Sequence, residues 1–434
     1  MGAKMIKRSR SFILPLLTIL SCCACCACGK QPSGGTPRGG ESSASEGGKV
    51  ILTFYDGVDN FEVTNEIVQS FNRQSDTIQV SARYLDNDLY DETIAEILES
   101  DVTDPDCLFL RQPSQVNDFA GSGALEDLSP YLRSSDLKLS NYGATLEMVS
   151  ADDGIYALPR IRSTWVLFYN KDLFDALQIP YPEQLTWEEY AQLAQRLTGG
   201  VGNTKIYGGL IPPWTLNIGA VAAEEYLTDD ELPLTRQYIE LLHRLYDVEK
   251  SHPDLAMLQG TLTSPYDFFL DGRAAMMING DWSISFLKNT LRTDTEEVSW
   301  DIAPLPAFDF VRKGITVGAC SYLAISASCR YKAAAAAFLS YYCGEAGAEI
   351  MASQSAVPAY YTAKSAQIYL DHADVEGAGY FFESVMLSEE GGHPAYRRVT
   401  ETFRTEMFEY LSGHKSSEEA FEDFYRQRAA ILAQ

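Results

Sequence analysis

The fold class of this 434-residue chain follows from residues 50–57, Val50-Ile51-Leu52-Thr53-Phe54-Tyr55-Asp56-Gly57, and from the segments after them. Val50, Leu52 and Phe54 recur at every second position, which predicts a strand ending at the turn Tyr55-Asp56-Gly57. Residues 63–71 then place apolar side chains on one helical face, and residues 78–84 alternate as a second strand. Cys107-Leu108-Phe109-Leu110 is a short apolar run typical of a strand buried on both faces. This alternation predicts an α/β fold with an open, largely parallel sheet that helices cover.

The rest of the chain continues to alternate between strands and helices. Residues 166–169 and 322–326 are predicted strands, and residues 268–278 read as a helix, a glycine turn and a strand. A capping box at Thr186-Trp187-Glu188-Glu189 predicts a helix through Leu197, and Ser416 with Glu419 predicts the start of the last helix. A run rich in alanine predicts a helix from Lys332 to Tyr342.

The N-terminus carries the features of a secretory signal. Four basic residues between positions 4 and 10 precede an apolar stretch, residues 12–20, which is too short to span a bilayer comfortably. Five cysteines follow at positions 22–28. We predict a lipoprotein signal peptide at residues 1–27 and lipidation of Cys28, with Cys22 as the alternative. The other interpretations are an uncleaved membrane helix or a metal-binding cysteine cluster, but no His or second CxxC accompanies the run.

Residues 28–48 form the predicted connection between the lipid and the folded part. After Cys28 they contain no large apolar side chain, so we expect a flexible Gly/Ser/Pro tether. The net charge of −26 would repel a polyanion, which argues against nucleic acid as a partner and leaves the anchor as the only membrane attachment. The remaining cysteines lack a metal or disulfide spacing and are predicted to be buried, although a disulfide among them stays open: Cys107, Cys320, Cys329 and Cys343.

Several short motifs follow one another in a fixed order across residues 50–430. They are Thr53-Phe54-Tyr55, Phe71-Asn72, Gly123-Ala124-Leu125-Glu126-Asp127-Leu128, Tyr156-Ala157-Leu158-Pro159, Phe168-Tyr169-Asn170-Lys171-Asp172-Leu173-Phe174, Thr186-Trp187-Glu188-Glu189, and Phe269-Leu270-Asp271-Gly272-Arg273-Ala274-Ala275-Met276 with Gly280-Asp281-Trp282. In this order and spacing the chain resembles the family 1 extracellular solute-binding proteins of ABC importers. That group includes maltose-binding and multiple-sugar-binding lipoproteins.

The resemblance implies a two-lobed α/β fold of the periplasmic-binding-protein type (class II), with three crossings between the lobes and a ligand cleft between them. Carried onto this sequence, lobe one is residues 49–161 plus 306–345, and lobe two is residues 162–305 plus 346–434. The resemblance also implies a monomeric, non-enzymatic receptor, lipid-anchored on the extracytoplasmic face of the bacterial cell membrane. Such a receptor captures a mono- or oligosaccharide by cleft closure and delivers it to ABC transporter permease subunits. No cofactor is expected.

Two tryptophans are the first candidates for sugar contact. Sugar rings have apolar C–H faces and hydroxyl edges, so their sites combine aromatic surfaces with carboxylates, amides and Arg. Trp282 lies at the family position that stacks on a sugar, and Asp281 beside it can accept hydroxyl protons. Trp214, in the loop Pro212-Pro213-Trp214, corresponds to a second ligand-facing aromatic of the family. Packing in the core is the alternative for both tryptophans.

Further candidates lie at strand ends, because ligands in open α/β sheets bind beyond the carboxyl ends of the strands. Tyr55 and Asp59 follow the first strand, and Arg111 and Gln112 follow the strand at 107–110. Tyr322 lies where the central strand of the family approaches the ligand. Solvated surface charge is the alternative for Asp59, and a core position is the alternative for Tyr322.

Two arginines, Arg160 and Arg162, depart from the family pattern. They lie in Leu158-Pro159-Arg160-Ile161-Arg162-Ser163-Thr164-Trp165, at the inferred first crossing, where a neutral-sugar binder has an acidic residue nearby. If Arg162 faces the cleft it would bind a carboxylate and favour a uronate or another anionic sugar. An inter-lobe salt bridge is the alternative for Arg162, and Arg111 has the same two interpretations. Trp165 completes the set of candidate ligand-binding residues.

Two other functions stay open from the sequence. A lipid-anchored hydrolase acting on glycans is disfavoured because the chain has no GxSxG, HExxH or Walker motif, and two SxxK matches at Ser135 and Ser285 lack companion motifs. The five histidines are scattered, so no metal site is predicted. A sugar sensor of the same fold would share every feature above.

Overall fold

The computed structural model describes residues 48–100, 103–151, 154–260, 264–289, 298–393 and 395–433. The predicted signal peptide, the lipidation sites Cys28 and Cys22, and all but the last residue of the predicted tether lie outside the described residues. Within the described ranges, no helix has both the length and the apolar character needed to cross a membrane.

Eight of the described strands form one sheet, and the other two form a short separate ladder. In chain order the strands are β1 Val50–Gly57, β2 Ile78–Leu85, β3 Cys107–Leu110, β4 Ser150–Ala151, β5 Gly154–Ile155, β6 Ala157–Asn170, β7 Met276–Gly280, β8 Trp300–Pro304, β9 Ile315–Ile325 and β10 Val385–Ser388. The main sheet has the order β2-β1-β3-β9-β6-β7, while β10 pairs with β9 and β8 pairs with β6.

Helices surround this sheet and connect its strands. The described α-helices are α1 Phe61–Gln74, α2 Tyr90–Leu98, α3 Pro113–Gly121, α4 Ser129–Leu132, α5 Ala144–Glu147, α6 Lys171–Ala176, α7 Trp187–Leu197, α8 Ile218–Val221, α9 Pro233–His243, α10 Leu255–Gly260, α11 Pro265–Leu270, α12 Ser283–Asn289, α13 Lys332–Tyr342, α14 Glu345–Ser353, α15 Ala363–Ala373, α16 Tyr380–Glu383, α17 Tyr396–Leu411 and α18 Ser417–Leu432. Both predicted capping boxes are present, at the starts of α7 and α18, and α7 and α13 have the predicted bounds.

The sheet is mixed, whereas the sequence predicted a largely parallel one. β1 pairs with β2 and with β3 in parallel, as the strand-helix-strand start indicated. β9, however, pairs antiparallel with both β3 and β6, and β7 and β8 pair antiparallel with β6. Hydrophobic periodicity reports which residues are buried but not the direction of a strand, so it could not reveal that β9 returns between β3 and β6.

Three hydrophobic clusters stabilise the fold. We call them the first core (buried residues of 52–158 and 320–360), the second core (buried residues of 165–308 and 396–424, with Val317) and the third cluster (buried residues of 166–381). The four cysteines predicted to be buried are buried and form no disulfide; all of them belong to the first core.

β6 and β9 run from one core into another. Leu158 near the start of β6 packs in the first core, whereas residues 165, 167 and 169 pack in the second core and residues 166 and 168 in the third cluster. This alternation follows from the two faces of a strand. β9 passes in the opposite direction, from Val317 in the second core to Ile325 in the first. Two paired strands therefore join the cores.

The chain beyond residue 345 also contributes to the first core. Ala348 and Met351 of α14 and, after it, Ala359 and Tyr360 pack there, whereas Ala352 and Val357 pack in the third cluster. The boundary at 345/346, like the other predicted lobe boundaries, stays a prediction.

Candidate functional site

A cavity of about 950 Å³, here called the large cavity, opens beside the carboxyl ends of β1 and β7. Its walls come from Asp59 and Asn60 after β1, from Ile161 and Ser163 of β6, and from the chain after β7. Strand carboxyl ends are where the sequence predicted ligand-binding residues. The volume lies within the range of roughly 300–1,000 Å³ common for small-molecule sites.

Asp281 fixes the chain after β7 to β6. The backbone N–H of Thr164 donates to Asp281 Oδ1 at 2.8 Å, and the backbone N–H of Asp281 donates to the Thr164 carbonyl at 3.0 Å. The side chain of Asp281 is only 2% exposed, and this burial raises its pKa to about 7, although backbone hydrogen bonds and the charge of Arg162 act in the opposite direction. Near neutral pH the carboxyl group therefore exchanges a proton, so it can donate as well as accept a hydrogen bond at the cavity wall.

Trp282 lines the large cavity and is held in place by Gly280. The six-membered ring of Trp282 fills the space that a Cβ atom on residue 280 would occupy. The indole of Trp282 also contacts the indole of Trp165 edge to face, with ring centroids 5.1 Å apart and ring planes at 79°. Gly280 was identified from the sequence only as part of a turn motif, and its packing against the indole was not predicted.

A smaller cavity of about 270 Å³, here called the small cavity, lies at Trp165. Two other predicted residues, Gln112 and Trp214, line it, and the side chain of Trp214 is 45% exposed. Glu389 and Glu390, which follow β10, form a polar wall. Trp165 Nε1 donates to Glu389 Oε2 at 2.8 Å, so Glu389 orients this indole in the wall of the small cavity.

Helix α17 supplies the remaining wall of the small cavity. Arg397, Thr400, Glu401 and Arg404 line it, and their spacing places them on one face of the helix. Arg397 Nε donates to Glu401 Oε1 at 3.3 Å. The small cavity thus combines aromatic rings with hydrogen-bond donors and acceptors.

Glu390 links the small cavity to helix α3. Ser114 Oγ donates to Glu390 Oε2 at 2.8 Å. Burial raises the pKa of Glu390 to about 7, with the Ser114 hydrogen bond opposing the shift and the neighbouring Glu389 adding to it. Burial also raises the pKa of Glu389. These adjacent carboxyl groups contact different elements, since one binds β6 through Trp165 and the other binds α3.

β6 forms a common floor for both cavities. Ile161 and Ser163 line the large cavity, and Trp165 lines the small one. Ser163 and Trp165 lie beyond the register shift of β6, and alternate residues of a regular strand face the same side about 7 Å apart, so these two residues bring the two cavities to one face of β6.

Tyr55 and Tyr322 lie elsewhere, although the sequence predicted both as ligand-binding residues. The hydroxyl of Tyr55 donates to Asp104 at 2.8 Å and accepts from Arg83 Nη1 at 2.8 Å, which places the ring in a polar network at the edge of the first core. Tyr322 is 0% exposed, and its hydroxyl donates to the Thr145 carbonyl at 3.3 Å. These contacts assign Tyr55 and Tyr322 to the stabilisation of the first core.

Arg111 also lies outside both cavities. Its Nε is 3.1 Å from Asp91 Oδ1, and its guanidinium group lies over the rings of Tyr90 and Phe109. The two predicted roles of Arg111 were binding of a ligand carboxylate and an inter-lobe salt bridge. The structure favours a salt bridge, but the bridge to Asp91 joins neighbouring elements of the first core and not two lobes.

Arg162 points away from the floor formed by Ile161 and Ser163. Its Nη2 donates to the Ser384 carbonyl at 3.0 Å, and burial lowers its pKa. The described residues place no carboxylate within salt-bridge distance of it. The register shift in β6 between Pro159 and Arg162 explains why simple alternation gave no reliable orientation here.

Arg160 is the arginine that forms an ion pair. Its Nη2 is 3.3 Å from Asp56 Oδ2, with both side chains 0% exposed, and it donates to Thr64 Oγ1 at 2.9 Å. The guanidinium lies 5.2 Å from the ring centroids of Phe109 and Tyr342. This pair belongs to the first core and lines neither cavity, although Asn60 in the wall of the large cavity donates to Asp56 Oδ1 at 2.7 Å.

Six of the ten predicted ligand-binding residues line the two cavities: Asp59, Gln112, Trp165, Trp214, Asp281 and Trp282. Sequence reasoning missed Phe286, Glu389, Glu390, Arg397 and Arg404. Phe286 lies in α12, which begins directly after the motif Gly280-Asp281-Trp282, so its position next to that motif was an available signal. The other four belong to segments distant in sequence that only the tertiary fold brings to β6.

Solved structures share this fold. A sugar transporter from Rhizobium etli in an open conformation superposes with a TM-score of 0.77 at 22% identity, over 88% of this chain and 99% of that chain. An ABC substrate-binding protein from Listeria monocytogenes in complex with cycloalternan gives 0.77 at 23% identity, over 89% and 99%. The predicted α/β fold of the periplasmic-binding-protein type is thereby confirmed.

Sequence comparison points to the same group. The maltotriose-binding protein of Pyrococcus abyssi is 27% identical over 203 residues, which are 46% of this chain and 41% of that protein. The match therefore spans less than half of the relative's length. The sequence profile of bacterial extracellular solute-binding proteins matches residues 66–376, well over half of the chain. The chain belongs to the bacterial extracellular solute-binding protein family.

Proposed function

We propose that this protein is an extracytoplasmic receptor that captures a sugar in the two cavities along β6 and delivers it to the permease of an ABC importer. The observation that carries the proposal is the composition of these cavities. Trp282 and Trp214 offer aromatic surface, and carboxyl, amide and guanidinium groups surround them. Sugars require this combination because they present apolar C–H faces and hydroxyl edges. The names of the Pyrococcus and Listeria proteins, which refer to maltotriose and cycloalternan, support a saccharide ligand.

The ligand is a neutral sugar in this proposal. Arg162, the residue that would have favoured a uronate, is bound to the Ser384 carbonyl and lies outside both cavities. The large cavity is lined by Asp59, Glu62 and Asp281, whose carboxyl groups accept hydrogen bonds from hydroxyl groups, and its one Lys or Arg, Lys288, is already bound to the carbonyls of His372 and Ala373. A neutral polyol therefore fits the wall better than an anion.

Ligand capture proceeds by closure of the cleft, which shifts an equilibrium between open and closed states. β6 and β9 pass between the cores and are the elements that would bend. The Ser114–Glu390 hydrogen bond would be one of the contacts that closure remakes, because it joins α3 of the first core to the segment after β10.

The chain is anchored by a lipid on Cys28, or alternatively on Cys22, at the extracytoplasmic face of the membrane. Support comes from the sequence, where a basic and then apolar N-terminus precedes the cysteines. The intact mass of the mature protein distinguishes the two sites. Cys28→Ser should release the protein from the membrane fraction if Cys28 is the anchor, and Cys22→Ser should leave it bound.

Calorimetric titration of the purified folded part with a panel of mono- and oligosaccharides, including uronates, tests the receptor role. We expect a neutral saccharide to bind stoichiometrically, to raise the melting temperature and to be recovered unchanged. Turnover of the sugar would support the glycan hydrolase instead. Preferential binding of a uronate would contradict the neutral-sugar proposal.

A further inference from the structure

Asp56, near the carboxyl end of β1, accepts hydrogen bonds on both oxygens of its side chain. The backbone N–H of Gly57 and Nδ2 of Asn60 donate to Oδ1, at 2.8 Å and 2.7 Å. Thr64 Oγ1 donates to Oδ2 at 2.6 Å, and the guanidinium group of Arg160 lies 3.3 Å from each oxygen. Since the side chain of Asp56 is 0% exposed, these donors hold its carboxylate in one orientation.

Asn60 extends this hydrogen-bond network to the wall of the large cavity. A carboxylate only accepts hydrogen bonds, so Asp56 binds the amide through Nδ2 and not through Oδ1 of Asn60. Asp56 thereby selects one of the two orientations that the planar amide can adopt by a half-turn. Among the described residues, none donates a hydrogen bond to Asn60 Oδ1. The selected orientation therefore leaves this oxygen as an acceptor for another molecule.

Two carboxylates beside Asn60 in the same wall are less restrained. Asp59 and Glu62 are exposed, and no residue in the described part of the chain donates a hydrogen bond to either carboxylate. Asn60 is partly buried and already bound through Nδ2, so its side chain loses less conformational freedom when a ligand binds. Of these three side chains, Asn60 is the pre-organised one.

Arg160 connects the network to β6. Its Nη2 also donates to Thr64 Oγ1 at 2.9 Å, and this oxygen lies 2.6 Å from the hydroxyl of Tyr342. The residue after Arg160, Ile161, lines the large cavity. The ion pair of Arg160 with Asp56 thus joins the segment after β1 to the strand that forms the floor of this cavity.

We propose that Asp56 is a positioning residue for ligand binding: held by Arg160, it orients the amide of Asn60 so that Asn60 Oδ1 accepts a hydrogen bond from a hydroxyl group of the ligand. This inference rests on the proposed sugar-binding function. It gives the buried ion pair a role in affinity in addition to its role in stability. An acceptor fixed in this way favours a ligand with a hydroxyl group at that point over an analogue without one.

The first test needs no ligand and uses proton–nitrogen correlation spectra of the side-chain amides. The purified wild type is compared with the double variant Asp56→Leu/Arg160→Met, in which residue 56 keeps a similar shape but both charges are absent. The Asn60 signal is assigned by its absence in Asn60→Ala. Tyr342→Phe is the matched control, because the hydroxyl it removes contacts Thr64 in the same network and not Asn60.

We expect a downfield-shifted Nδ2 proton of Asn60 in the wild type and in Tyr342→Phe, since a hydrogen bond to a carboxylate deshields the proton. In the double variant this proton should have the chemical shift of a free amide. Where the double variant does not fold, the signal of the wild type decides whether Asp56 binds this amide.

The second test is a calorimetric titration of the same proteins with maltotriose and with the other neutral saccharides of the panel. The double variant and Asn60→Ala should each bind the tightest of these saccharides about tenfold more weakly than the wild type. Combining all three substitutions should add little to either loss, because both losses concern one hydrogen bond. Tyr342→Phe should stay within about twofold of the wild type. Melting temperatures establish that each variant is folded.

A wild-type Asn60 signal typical of a free amide would overturn the positioning by Asp56, whether or not a saccharide binds. Equal affinities of the wild type and a folded double variant, or losses that add up in the combined variant, would overturn it while leaving the receptor role intact. Absence of binding by every saccharide of the panel would overturn the proposed function and, with it, the role of Asn60 in binding.

Discussion

The indole rings of Trp165 and Trp282 meet edge to face, with their centroids 5.1 Å apart, at the boundary between the two cavities. One tryptophan comes from β6 and the other from the turn after β7, and the two strands pair antiparallel with Trp165 opposite Gly280. The sheet register thus brings Trp165 beside Gly280, and the missing side chain of Gly280 leaves room for the ring of Trp282.

Gly280→Ala should weaken ligand binding through Trp282. A methyl group at this position overlaps the six-membered ring of Trp282, so the indole must rotate out of its place in the cavity. We expect about a tenfold loss of affinity and a loss of stability of ~1–3 kcal/mol from overpacking. Titration calorimetry measures the affinity, denaturant unfolding measures the stability, and near-ultraviolet circular dichroism reports the rotation of the indole. Gly121→Ala is the control, because a methyl group there meets no atom within 4 Å; equal affinities of both variants would contradict the role of Gly280.

Trp282→Ala should reduce the binding free energy by ~1–3 kcal/mol while the protein stays folded. The side chain is only partly buried at the edge of the second core, so its removal takes away ligand contact more than core packing. Trp282→Phe should retain part of the affinity because an aromatic face remains. A calorimetric affinity for the true ligand that is the same in Trp282→Ala and in the wild type would exclude Trp282 from the site.

Arg160→Met should destabilise the protein by about 3 kcal/mol, because it leaves the buried carboxylate of Asp56 without a positive charge beside it, although Gly57, Asn60 and Thr64 still donate hydrogen bonds to it. Asp56→Asn in the same chain should recover part of this loss, since both charges are then absent. Arg162→Met should cost less, because the hydrogen bond it loses is to a carbonyl group and leaves no buried charge. Denaturant unfolding of the wild type, Arg160→Met, Asp56→Asn and the double variant gives a double-mutant cycle, and Arg162→Met is measured beside them. A smaller loss in Arg160→Met than in Arg162→Met would contradict this assignment.

Asp281→Asn should change how stability depends on pH. The raised pKa of Asp281, about 7, means that the folded protein keeps this proton between about pH 4 and pH 7, where the unfolded chain has released it. The protonated carboxyl group therefore stabilises the folded state fully below about pH 4, and this contribution disappears as the pH rises through 7. Asn carries no titratable proton, so the variant lacks this pH-dependent contribution. Its stability relative to the wild type should therefore increase from pH 4 to pH 8. If the melting temperatures of the variant and the wild type differed by the same amount at every pH from 4 to 8, the raised pKa of Asp281 would be contradicted.

Local signals predicted the secondary structure well where one segment suffices to define an element. The two capping boxes and the bounds of α7 and α13 are as predicted, because capping depends on residues three positions apart. The direction of β9 was not predictable in this way, since it depends on which strands a distant segment joins. The predicted signal peptide and lipidation site lie outside the described residues and stay predictions.

The same distinction between local and tertiary signals applies to the residues of the candidate site. Asp281 and Trp282 were accessible from sequence because they lie in one motif, whereas Glu389 and Glu390 reach the small cavity only through the packing of β10 and α17. Tyr322 and Arg162 line neither cavity, and their roles as ligand-binding residues stay predictions. Tyr322 is buried on β9 with its hydroxyl on the Thr145 carbonyl, and Arg162 of β6 donates to the Ser384 carbonyl.

The dual role of β6 restricts how this receptor can evolve. Because the strand that carries Ile161, Ser163 and Trp165 also joins two cores, inserting or deleting one residue in it would turn every later side chain to the opposite face and scramble both cores at once. New specificities can therefore arise on this strand only by exchange of one side chain for another. The loop that carries Trp214 belongs to no strand, but its residues on both sides of Trp214 are buried, so a library designed to alter the ligand should vary residue identity, not length, both there and on β6.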